Sequence, residues 1–486
     1  MKRPALRRTI SLITFVMLAF VFVHSVNAQS GKERREARKL IEQADQAMSQ
    51  RNYSNAKDLY SRALALTPAD THARFWKGAA HAYLDEGDQA LPEFNAALTG
   101  GYKKPLEVYS LRWRIHYAKK DFDSAYSDVQ KGLQLEPSNR EFQLASADLL
   151  YARGSNREAL DAYLKALPTA QNKGDIYLNI ARIQHNLGDP AAQTAAAQEA
   201  VNNGTRHVAE AFLVVGDGLQ KQKKFDEAAI AYRKAISARP DSYDTHRKLA
   251  EIYRSQGRFA EAIDVTRKAL ALVNLKIEEI SKGPTPPAET LASLRQTAAD
   301  MYTDASWYYS LTDRHADAVD AADAAIMLRP EQSMAYSNLC RAYNDLKKPS
   351  MAVTACNNAL RLNANDGETL FYLARAFDLS SRPAEASVNY KRAVKGLEEN
   401  STKNPENWDV HYLLGNAYFA DNQRDKAITS YKRALQLNPR FAKGYYNLGI
   451  IQVLQKNRAA ALEAYNGLVP IDQALATKLK AEIDKL

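Results

Sequence analysis

A period of 34 residues constrains this chain more than any other feature. Tyr53, Ala56, Tyr60, Ala63, Leu64 and Pro68 recur as Phe225, Ala228, Tyr232, Ala235, Ile236 and Pro240, and the last five return as Ala427, Tyr431, Ala434, Leu435 and Pro439. Twelve copies register, starting at Ala37, Thr71, Leu106, Arg140, Gly174, Ala209, Tyr243, Ala299, Ser333, Gly367, Trp408 and Ala442. Position 20 of the unit is Ala in eleven copies, with Gln193 the exception, and position 28 is Leu, Ile or Val in all twelve. Position 8 is Gly, Ala, Ser or Cys in eleven, with Trp113 the exception. Small residues recur where two helix backbones come close. Positions 8 and 20 face one another if a turn near position 15 reverses the chain, so each unit reads as a helical hairpin. One hairpin cannot bury its apolar face alone, and stability must come from stacking many.

Composition agrees with helix. Alanine reaches 79 residues while Gly and Pro together total 37, and these are the best and the two worst helix formers. The chain is 45% hydrophobic and 25% charged, which argues against wholesale disorder.

The pattern resembles the tetratricopeptide repeat. Leu413, Leu414 and Gly415 with Tyr418, and Tyr445, Leu448 and Gly449, carry the resemblance most fully. It implies an all-α solenoid, a right-handed superhelix of about twelve helix-turn-helix units. The first helices would line a concave groove that grips other proteins. Members that capture carboxylate tails carry Lys and Asn or Arg at positions 2 and 6 over three successive repeats; here only Lys443 with Asn447 fits, so that activity is not inferred.

Several segments stand outside the period. In residues 1–28, a basic head (Lys2, Arg3, Arg7, Arg8), an apolar run from Ile10 to Val23 and the small-residue site Val26-Asn27-Ala28 read as a secretory signal peptide. The alternative is a retained anchor, but the run is short of the roughly 20 residues a bilayer requires. A polar linker covers 29–36, repeats one to seven 37–276, repeats eight to ten 299–400, and repeats eleven and twelve 408–475. An insertion at 277–298, with Gly283-Pro284-Thr285-Pro286-Pro287 at its middle, is expected to extend a helical hairpin by about 15 Å. A second insertion at 401–407 is expected to lengthen a loop, and 476–486 to help cap the stack.

The search for chemistry excludes more than it finds. Phosphate-cradling glycine loops, paired metal-ligand histidines, Cys-x-x-Cys and Gly-x-Ser-x-Gly are all missing from the sequence, and no stretch outside the repeats is long enough for a catalytic domain. We expect no enzyme activity, no cofactor and no metal. The net charge is +10, and loss of residues 1–28 with four basic and no acidic residues takes it to +6. Basic residues are scattered among acids, so nucleic acid is not an expected partner. Membrane contact would come only through an uncleaved signal or a partner. Cys340 and Cys356, at positions 8 and 24 of repeat nine, are expected to be free buried thiols, because a helix spacing of 8 to 10 Å exceeds the Cα limit for a bridge.

Charges have an ordinary reading. Acids at position 2, among them Glu368 and Asp409, sit in a first helical turn where the helix dipole favours them. Positions 5 and 9 of the first helices are the candidate binding face. Trp307, Arg341, Phe371, Arg375, Tyr412, Asn416 and Tyr446 would form a ladder in which two guanidinium groups lie between aromatic faces. Such a surface suits an extended peptide bearing a carboxylate. The competing reading pairs Arg341 with Asp345 and Arg375 with Asp378 as helix-surface ion pairs. The sequence thus points to an exported, periplasmic or cell-envelope scaffold that binds a protein or peptide. The alternative is a helper subunit of an envelope secretion or polysaccharide-synthesis complex with its active site on another chain.

Overall fold

The computed structural model describes residues 31–283 and 287–486, and the signal-peptide reading therefore lies outside the described residues. Over these residues the chain is an all-α solenoid, twelve helix pairs followed by one final helix. A typical pair is repeat nine, with helices Ser333–Asp345 and Pro349–Leu362. The reversal between paired helices falls at position 15 in all twelve repeats. The residue there has positive φ whether it is Gly, as at Gly154, Gly188 and Gly257, or not, as at Lys223, Asp313 and Lys347. The turn closes as a left-handed helix stop: in repeat nine the Lys348 N–H donates to the Tyr343 carbonyl and the Lys347 N–H to that of Asn344.

The small positions sit at the helix crossings. The position-20 alanines are buried, for example Ala228, Ala262 and Ala352 at 0% exposure. The exception, Gln193, is buried too, and its amide donates to the Val214 carbonyl at 2.9 Å. Position 8 meets position 24 as closely as it meets position 20. A Cβ added to Gly216 would stand 2.5 Å from the Tyr232 ring, and one on Gly415 2.6 Å from that of Tyr431, so glycine there is what admits the ring.

Repeat nine fills the same crossing with a disulfide. Cys340 and Cys356 are bonded, with Cα atoms 5.2 Å apart, which overturns the expectation of free thiols. The helix spacing is measured between axes, whereas each Cα stands about 2.3 Å off its axis toward the partner, so a spacing of about 8 to 10 Å leaves Cα atoms within bridging range. Helical side chains also lean toward their own N-termini, which brings positions 8 and 24 of antiparallel helices toward each other.

The chain divides into two compact units, one ending at Asp189 and one spanning Pro190–Leu486. The first contains repeats one to four and the first helix of repeat five. Its core is a run of aromatic and Ala contacts, such as Phe75 stacked on Tyr102 with centroids 4.6 Å apart. The second contains the remaining repeats. There the helices flanking the 277–298 insertion, Phe259–Ser281 and Ala288–Leu311, run to 23 and 24 residues where most others have 13 or 14. The added turns carry their own apolar seam, with Val273, Leu294 and Ala298 buried against Ile277 and Ile280. At the second insertion, the helix Pro383–Lys403 continues through residues 401–403, so the extra residues lengthen a helix as well as the loop. The final helix, Gln473–Ile483, lays Ala476, Leu479 and Ile483 on repeat twelve.

Candidate functional site

The second unit holds a cavity of about 550 Å³ walled by repeats eight to twelve. Position 9 contributes Arg341, Arg375 and Asn416, and position 5 contributes Phe371 and Tyr412. These five of the seven sequence candidates line one space because their helices, Ser333–Asp345, Gly367–Leu379 and Trp408–Ala420, present the same face in successive repeats.

The polar groups of the wall are arranged in pairs. The Arg375 guanidinium lies 3.4 Å from Asp345, a residue of the preceding repeat, and not on Asp378, whose carboxylate accepts instead from the Tyr390 hydroxyl. Lys443 bonds Asp313 at 2.9 Å, and His315 stands 3.8 Å from Asp345. The Asn416 carbonyl accepts from the Tyr431 hydroxyl at 2.7 Å and from the Asn447 amide at 3.0 Å. Asn447 also donates to the Tyr412 hydroxyl. The Arg375–Asp378 pairing read from sequence is thus replaced by a contact between repeats.

Arg341 differs from every other charge in the wall. It is 6% exposed, it lies over the Tyr372 ring at 5.6 Å, and its Nη1 is buried with no hydrogen-bond partner. Burial would by itself lower the guanidinium pKa, but Tyr372 and the carboxylates of Asp409, Glu368 and Asp345 more than offset it, so the group stays charged. Glu368 and Asp409, the position-2 acids of the next two repeats, each keep one buried carboxylate oxygen unpartnered. Burial, then Asp409 and Asp366, push Glu368 up to about 8 against the pull of Arg341. Asp409 is also raised by burial, while Arg341, Arg254 and the Trp307 indole favour its charged form. The group is a buried cation set among acids, and its residue lines the cavity.

Two sequence candidates sit elsewhere. Trp307 packs in an aromatic cluster, 5.5 Å from Phe259 and 5.9 Å from Trp408 between ring centroids. Tyr446 packs against the apolar cluster that joins repeat twelve to the final helix. Conversely, Asp313, His315 and Asp345 line the cavity without having been singled out as site residues. Position 24 is Tyr in repeats one, four, six, ten, eleven and twelve; its hydroxyl bonds position 9 in repeats one, four, six and eleven and Asp378 in repeat ten, while repeats eight and nine carry Ala322 and Cys356 there. Among the described residues no group of three or more His, Cys, Asp or Glu side chains could hold a metal, and no helix is long and apolar enough to cross a membrane.

Comparison with known proteins gives the same picture. Tetratricopeptide repeat models match residues 41–104, 114–175 and 216–274, and a TPR repeat model matches 415–456. A TPR repeat-containing protein of Methanocaldococcus jannaschii is 22% identical over 70% of this chain and 59% of its own length. A DnaJ homolog subfamily C member 7 homolog of Schizosaccharomyces pombe is 24% identical over 56% of this chain and 58% of its own. The chain thus spans less than two thirds of either relative. Among solved structures, a tetratricopeptide repeat protein from Parabacteroides merdae aligns with a TM-score of 0.35 at 15% identity, over 57% of this chain and 98% of that one. With twelve registered units, a left-handed turn in each and family models matching in both compact units, this chain is a tetratricopeptide repeat protein.

Proposed function

We propose that the chain is an exported, non-catalytic scaffold that binds a segment of a partner protein in the cavity of repeats eight to twelve. The observation that carries this reading is Arg341, a guanidinium more than nine-tenths buried whose Nη1 lacks a partner, at the wall of a space flanked by Phe371 and Tyr412. A buried cation is costly unless its donors are satisfied, and a planar carboxylate satisfies two of them at once. Aromatic walls beside it would hold the apolar part of the same segment. Export is supported by the basic head, apolar run and Val26-Asn27-Ala28, and by the Cys340–Cys356 bond, since disulfides persist in oxidising compartments.

Affinity purification from the cell envelope tests the reading. The wild-type chain should retain a partner that the Phe371→Ala, Arg375→Ala variant loses, while Arg62→Ala, an equal loss of one positive charge on a second helix, should retain it. Equal loss in both variants would mean that a diffuse positive field, and not this cavity, holds the partner. Co-purification with an envelope secretion or polysaccharide-synthesis machine would favour the helper-subunit reading. Mass spectrometry of the purified chain should find Gln29 at the N-terminus, and an intact Met1 would contradict export by cleavage.

A further inference from the structure

Neighbouring repeats in this solenoid exchange side-chain bonds between residues about one period apart, such as Asn344 to the Tyr372 carbonyl, 28 residues on, and Asn338 to the Thr303 carbonyl, 35 residues back. Among the described residues two ion pairs break that rule. Lys223 bonds Glu406 at 2.8 Å across 183 residues, and Lys443 bonds Asp313 at 2.9 Å across 130. Between them lies an apolar plug: Trp408 stands 6.1 Å from Phe259, 5.9 Å from Trp307 and 4.6 Å from Phe441 between ring centroids. The Asn438 amide closes on Gly257, 3.3 Å from where a Cβ would stand. Lys223, Gly257 and Asp313 are the position-15 residues of repeats six, seven and eight, so three successive turn tips meet the helix ends and loops of repeats ten to twelve.

We propose that this contact is a latch that opens and closes the mouth of the cavity. Three features carry the inference. First, Asp313 and Lys443 are both latch residues and cavity-lining residues, so their separation widens the space that Arg341 faces. Second, the ion pairs are exposed, with side chains 72% and 70% accessible in one and 36% and 72% in the other, so each shifts a closed-to-open ratio by no more than about fivefold. Third, the stacking of repeats is a sum of neighbour interfaces, and a contact between distant repeats can be lost without unstacking any of them. The charged part of the contact is therefore its readily broken part, and it guards the cavity beside the aromatic plug. That opening serves a partner rests on the function proposed above; the opening itself is read without one.

The test uses the full chain carrying Trp76→Phe and Trp113→Phe, which leaves Trp307 and Trp408 as its only tryptophans. A second copy carries Ile450→Cys at the cavity wall, where the new thiol is the sole reactive one because Cys340 and Cys356 are bonded. Lys223→Glu with Lys443→Glu should raise acrylamide quenching of the tryptophans and speed maleimide labelling of residue 450, on the order of tenfold. Adding Glu406→Lys and Asp313→Lys should restore both. About 0.5 M sodium chloride should act on the unreversed chain in the same direction, which keeps the test open should the charge variants fold poorly. Quenching and labelling that stay unchanged under both charge reversal and salt would overturn the latch while leaving partner capture to be judged on its own assay.

Discussion

Repeats six and nine meet the same packing problem with different residues. In repeat six, Gly216 at position 8 admits the Tyr232 ring at position 24, and the Tyr232 hydroxyl donates to Asp217 at position 9, at 2.7 Å. Lys248 of the next repeat bonds that same carboxylate at 2.7 Å. Position 9 is thereby consumed in holding the stack together. Repeats one and four repeat the arrangement, with Tyr60 on Asp45 and Tyr163 on Asp148. In repeat nine the crossing is held covalently by Cys340 and Cys356, no hydroxyl reaches position 9, and Arg341 there faces the cavity. The difference teaches how the position-24 side chain bears on position 9 in these two repeats: Tyr232 ties Asp217 into the stack, whereas Cys356 offers Arg341 no hydroxyl.

The largest expected effect attacks the repeat-nine side of that comparison. Arg341→Ala leaves Glu368 and Asp409 buried without their shared cation, and should cost roughly 3 to 5 kcal/mol in urea unfolding. A loss below about 1 kcal/mol, as expected of an exposed helix pair, would show that the guanidinium is not buried among these acids. Reduction comes next. Opening the Cys340–Cys356 loop, with its sequence separation of 16, should lower stability by about 3 kcal/mol, and the oxidised chain should weigh two hydrogens less than the reduced one. An unchanged melting temperature under reductant would remove the covalent crossing from the account.

Proton linkage sharpens the same comparison. The folded-state pKa of Glu368 is raised to about 8, so folding favours its protonated form. Its stabilising contribution is complete below its ordinary value and is lost as pH rises through about 8. Stability should therefore fall as pH rises from about 5 to 8, and Glu368→Gln should flatten that slope. Persistence of the full slope in that variant would assign it to other groups. The smallest effect belongs to repeat six: Tyr232→Phe should cost only about 1 kcal/mol, since Asp217 keeps Lys248. A cost of several kcal/mol would make the hydroxyl, and not the ring, the main support of that crossing.

Much of the fold was legible because it is periodic. Spacing alone located the turn at position 15, where all twelve repeats have positive φ, and the small residues at positions 8 and 20. The cysteine pair was misread because an axis-to-axis spacing was taken for a Cα separation. Of the candidates read at positions 5 and 9, Arg341, Phe371, Arg375, Tyr412 and Asn416 line one cavity, since one helix face recurs from repeat to repeat. The burial of Arg341 was not legible: its acids, Glu368 and Asp409, come from the next two repeats, whereas sequence spacing favoured Asp345 on its own helix. Nor was the displacement of Trp307 into the Phe259 and Trp408 cluster, because that contact depends on how the unit curves over four repeats, a property no single repeat encodes.

The central claim is the proposal that the cavity face of repeats eight to twelve, and not the second helices, meets the partner. A photo-cross-linking phenylalanine analogue at Phe419, an exposed residue of the cavity wall, can be compared in living cells with the same analogue at Ile230, exposed on the second helix of repeat six. The account predicts a discrete adduct from position 419 that disappears in the Phe371→Ala, Arg375→Ala background, and none from position 230. An adduct from position 230 alone, or one from position 419 that survives the cavity substitutions, would contradict it.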